Sequence, residues 1–175
     1  MIEQITTSRK LAAYADRARS GSVSAENRSA RPAARGALSS GTMAVLDFNS
    51  KLRGTERDLI DVAYFTDLVR AAALRVAPGL HVMTRENTLV LLQASGKKLE
   101  DCEGECEVDT GRRLGADLIV SGQVLKVGSN FKLNLKMHET QDGRLLSGAV
   151  ASGQNVDALD SDTQRAVETL IAPLH

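Results

Sequence analysis

The sequence contains no Trp and only 3% aromatic residues, too few for a base-stacking nucleic-acid platform or an aromatic carbohydrate-binding face. No apolar run approaches the roughly 20 residues a spanning helix needs. The start of the chain has no secretory h-region and no cysteine that could take a lipid. Histidines number three and cysteines two, which leaves little material for a metal centre. Net charge is zero, but it is unevenly spread. Residues 1–42 hold seven Lys or Arg against three Asp or Glu, and the remaining 133 hold fifteen against nineteen.

At 175 residues and 42% apolar content, the chain can bury one core but not two. Residues 1–41 read as a disordered basic leader, rich in Ser, Ala, Arg and Gly and without a period of 2 or 3.6. Residues 42–175 read as a single domain. The leader's scattered arginines suggest a nucleic-acid or anionic-surface contact, but a solvated linker is the simpler reading and nucleic-acid binding is not favoured.

The folded part is organised around Asp101 to Gly153. Leu118 to Val127 begins apolar on both faces, as a central strand does. Phe131, Leu133, Leu135 and Met137 then alternate with Lys132, Asn134, Lys136 and His138, so one face of this strand is buried and the other wet. Asp142-Gly143 signals a hairpin, and Arg144 to Ser152 supplies the next strand. Upstream, Met43 to Phe48 reads as an interior strand. Thr55 nearly forms a capping box, opening a helix through Leu59, Val62, Phe65, Leu68, Val69, Ala72, Ala73 and Val76. Leu80 to Thr84 is a short strand leading into a helix through Leu89 to Leu92. A further helix runs from Val108 to Leu114, with Gly115 at its end, and a last one starts at Asp160 and stops at Pro173. The element order β-α-β-α-α-β-β-β-α predicts an α/β domain with three parallel strands, two antiparallel additions and helices on both faces.

No catalytic signature emerges. His81, His138 and His175 sit in no motif that pairs them with a nucleophile, and Ser121-Gly122 lacks the G-x-S-x-G elbow. Gly111-Arg112-Arg113-Leu114-Gly115 is followed by a strand, so no helix N-terminus stands behind it to hold a phosphate. Cys102 and Cys106 are open to three readings: a disulfide first, free thiols second, metal or redox chemistry third. Neither a cofactor, nor a metal, nor a small-molecule substrate is expected.

Three segments together, Met43 to Phe48 (MAVLDF), His81 to Gln93 (HVMTRENTLVLLQ) and Gly115 to Gly122 (GADLIVSG) with the meander after it, resemble the TolB N-terminal-like and CsgG-like domains of bacterial cell envelopes. The resemblance implies a three-layer α/β/α sandwich of anticodon-binding-domain-like topology, its five-stranded mixed sheet ordered 2-1-3-4-5. It also implies a non-enzymatic role, binding other envelope proteins or a second copy in the periplasm or at the outer membrane, and it fits an oxidised Cys102–Cys106 pair. The long amphipathic hairpins and lipidated cysteine of CsgG-like pores and the propeller of TolB have no counterpart in this sequence, so pore formation is not expected. A cytoplasmic regulatory or adaptor domain is the alternative. The outermost strand is expected to dock a partner or a second copy by strand addition, through Arg144, Leu146, Gly148 and Val150.

Overall fold

The computed structural model describes residues 40–94 and 105–175. The predicted leader therefore lies outside the described residues, except at its last positions. Strands β1 (Thr42–Val45), β2 (Asn49–Ser50), β3 (His81–Val82), β4 (Leu118–Val127), β5 (Asn130–Glu139) and β6 (Leu145–Gly153) alternate with helices α1 (Val62–Val76), α2 (Arg85–Ala94), α3 (Glu105–Leu114) and α4 (Val156–Ile171). They build one mixed sheet in the order β3-β1-β4-β5-β6, with the two-residue β2 pairing onto β4. β1 is parallel to both β3 and β4, whereas β5 and β6 run antiparallel. With β2 set aside, this is the 2-1-3-4-5 order that the resemblance implied.

The three layers follow from the sidedness of the strands. Met43, Val45, Leu118, Val120, Leu133, Leu135 and Met137 meet Phe65 and Val69 of α1 and Leu159, Val167 and Leu170 of α4 in the main core. Complete burial of a side chain such as Phe65 contributes about 1.5 to 3 kcal/mol. On the other face Ala44, Leu46, Met83, Leu92, Leu114, Ala116 and Ile119 form a smaller core beneath α2 and α3.

Helices α1 and α4 start elsewhere than the sequence reading has them. The run after Thr55 is not one helix: Gly54–Leu59 is a 3-10 segment, Ile60 is extended and buried, and Asp61 caps α1. The Asp61 carboxylate accepts from the backbone N–H groups of Ala63 at 3.0 Å and Tyr64 at 3.2 Å. Turning Ile60 inward breaks the helical phase, and Leu59 is left 58% exposed. Helix α4 begins at Val156 and not at Asp160, because Asn155 Oδ1 accepts from the Ala158 N–H at 2.8 Å. Asp160 and Asp162 work laterally: Asp160 accepts from Tyr64 of α1, and Asp162 accepts from the Ser152 N–H of β6 at 2.8 Å. Gly115 does end α3 with a positive φ of 67°.

A candidate interaction surface

The second helical layer covers only part of the sheet. Its core draws on β1, the chain just after β3, and the first residues of β4, and includes no residue of β5 or β6. Among the described residues the outer rows of the meander therefore have no apolar cover. Gln123 and Leu125 of β4 are half-buried, Lys136 of β5 is exposed, and Val150 of β6 is 56% exposed. Cross-strand partners on this face are Ser121 with Lys136 and Gln123 with Asn134, continued by Asn134 with Val150 and Lys132 with Ser152. Lys132 Nζ donates to the Ser152 hydroxyl at 3.2 Å.

β6 is the outer strand of the sheet. The four residues expected to share its docking row do not all do so. Gly148 and Val150 are exposed, but a register shift between Met137 and His138 sends Leu146 against the main core and puts Leu145, 55% exposed, opposite His138. A bulge of this kind places one extra residue against a regular partner strand, which reverses the alternation beyond it. Arg144 lies before β6, where its guanidinium pairs with Glu139 at 2.9 Å. The edge is also shorter than its length suggests. The amide of Ser152, which follows Gly148 and Val150 in the same alternate row, is taken by Asp162.

Over β4 and β5, inward of this edge strand, lies a polar cavity of about 130 Å³, lined by Asn49, Glu107, Ser121, Gln123, Asn134 and Lys136. Glu107 is buried in α3, and the Ser121 hydroxyl donates to its Oε2 at 2.8 Å. The sequence reading starts this helix at Val108 and so leaves Glu107 outside it. The missed signal is that helix α3 begins at Glu105, three residues before the predicted start, which puts Glu107 on the face turned toward β4.

The remaining sequence candidates are dispersed. His81 lies on β3 and His138 on β5, with β1 and β4 between them in the sheet. Among the described residues no group of three or more His, Cys, Asp or Glu could hold a metal, and no helix is long and apolar enough to cross a membrane. Cys106 lies in the first turn of α3 and Cys102 outside the described residues.

Fold and surface together define a three-layer α/β domain that presents a half-open sheet. No protein-family profile matches the sequence, and no curated protein does. Solved structures do share the fold. The LpoB C-terminal domain from Salmonella enterica aligns with a TM-score of 0.53 at 12% identity, covering 66% of this chain and 84% of that one. The corresponding Escherichia coli domain aligns at 0.52 and 16%, over 65% and 82%. TolB from Acinetobacter baumannii aligns at 0.50 and 10%, over 77% of this chain and 28% of that one. The TolB side of the resemblance thus holds at the level of fold, which by itself does not assign a function.

Proposed function

We propose that this chain is a non-enzymatic protein-interaction domain of the bacterial cell envelope, working in the periplasm or at the outer membrane. The observation that carries the reading is the open outer face of β4, β5 and β6, where Val150 and Leu145 are exposed beside a polar row of Lys132, Asn134 and Lys136. Apolar groups rimmed by polar ones are the composition of a docking patch. The fold likeness to TolB supports the envelope setting, and the dispersed histidines support a role without catalysis. Strand addition is confined to the Gly148–Val150 stretch, since Asp162 already occupies the Ser152 amide.

The test is a photo-crosslinking residue placed at Val150 in the producing cell, combined with cell fractionation. The expected result is an adduct with an envelope protein or a second copy, and recovery of the chain with the envelope fraction. Recovery only with the cytosol would replace the reading with that of a cytoplasmic adaptor. Envelope recovery with no adduct at Val150 would move the docking surface elsewhere.

A further inference from the structure

We propose that the cavity around Glu107 receives the guanidinium of an arginine presented by a protein partner. The proposal rests on the interaction reading above and specifies what the open face recognises.

Glu107 is 8% exposed, and the hydrogen bond it receives comes from a neutral group, the Ser121 hydroxyl. Among the described residues no Lys, Arg or His stands within ion-pair distance of it. A carboxylate largely withdrawn from water and without a cation is costly to keep, and an incoming cation offsets that cost. An ionised carboxylate has about four acceptor sites, and Ser121 uses one. Asn49 and Asn134 also line the cavity, and an Asn side chain carries an amide oxygen that can accept. Several acceptors set about one carboxylate suit the planar five-donor fork of arginine better than the compact ammonium of lysine. A divalent cation fits less well, since among the described residues no second acidic group joins Glu107 in the cavity lining.

The position of the cavity explains why the arginine comes from a macromolecule. Asn134 on its wall is the cross-strand partner of Val150, so a chain segment lying along the exposed β6 row can send one side chain inward to Glu107. Lys136, two residues beyond Asn134 in the same row, lines the cavity and is exposed, so its ammonium repels an incoming cation.

The experiment follows backbone amide shifts of the isotope-labelled full chain during titration with N-acetyl-arginine amide, against the lysine and neutral citrulline analogues. Saturable shifts confined to Glu107, Ser121, Gln123 and Asn134 are expected, with citrulline weaker by about thirtyfold. Glu107→Gln retains an acceptor for Ser121 and removes the uncompensated buried charge, so it should keep or raise the thermal midpoint of the parent and lose arginine binding by a similar factor. Lys136→Ala should tighten binding several-fold by removing the competing charge. Shifts that do not saturate, shifts that survive Glu107→Gln, or equal binding of citrulline overturn the proposal. Weaker binding with a lowered midpoint in Lys136→Ala also overturns it, by assigning Lys136 as the resident counterion of Glu107. The readout uses the free chain and a small probe, so its failure is separate from failure of crosslinking at Val150.

Discussion

A Cβ placed on Gly153 would stand 2.2 Å from the backbone nitrogen of Leu159, so the end of β6 and the first turn of α4 meet backbone against backbone. No side chain can move aside there. Gly153→Ala is expected to destabilise the domain by about 3 kcal/mol, the upper end of the usual overpacking cost, seen as a lower urea midpoint with an unchanged slope. Gly148→Ala on the same strand meets only Leu135 O at 3.5 Å and should stay within about 0.5 kcal/mol of the parent. The pair separates close approach from strand propensity.

Arg70 is 7% exposed in the middle of α1 and donates to Val45 O at 2.7 Å and to Asp67 at 2.6 Å, with Asp47 at 3.4 Å. It ties the helix to the end of β1. Its carboxylate partners are partly exposed, so removing the cation strands no buried charge, and the main loss is the bond to the Val45 carbonyl. Arg70→Met should cost about 2 kcal/mol in equilibrium unfolding. Arg70→Lys should recover little of it, because one ammonium cannot reproduce the fork.

Tyr64 of α1 donates its hydroxyl to Asp160 of α4, and this hydrogen bond to a carboxylate holds the phenol above its ordinary value of 10.0. A group whose folded-state value is raised contributes stability that is fully present below the unfolded value and lost as pH rises through the folded one. The parent should therefore lose stability above pH 10 more steeply than Tyr64→Phe. Urea midpoints at pH 8 and at two values above pH 10 check the sign, and parallel curves for the two chains would refute it.

Much of the fold was legible because period-2 patterning is strong where one sheet face is buried and the other is wet. Phe131 to His138 is the clearest case, and its burial alternates as expected. The sheet order came from the resemblance, since periodicity does not say which strands are neighbours. Helix starts were less legible. Thr55 and Asp160 are as good cap residues by type as Asp61 and Asn155, and only tertiary context, the inward turn of Ile60 and the lateral use of Asp160, decides between them. The proposed surface was half legible. Val150 and Gly148 are exposed on the outer strand as alternation suggests, but the bulge that removes Leu146 and the helical placement of Glu107 depend on register and packing that alternation does not encode.

The proposed Cys102–Cys106 bond closes a very short loop, so constraint of the unfolded chain is worth only about 2 kcal/mol. Cys106 is not a free thiol. Thiol titration of the unfolded, unreduced protein is expected to find no reactive cysteine, and reduction should lower the thermal midpoint slightly without unfolding the domain. Two thiols per chain in protein recovered from its own cell would refute the bond and favour the cytoplasmic alternative.

Strand β1 has a distant partner. β1 is fixed to the start of β4 by the bond from the Thr42 N–H to Asp117, 75 residues away, whereas β4, β5, β6 and α4 each pack on a sequence neighbour. Closing the long loop has to wait for a surface that rewards it. The meander and α4 should thus assemble first, with Leu133→Ala slowing folding and Val45→Ala mainly speeding unfolding. During synthesis the ribosome delivers Met43 to Leu46 well before β4 exists, so this apolar run must travel without its partners until the second half of the chain emerges to receive it.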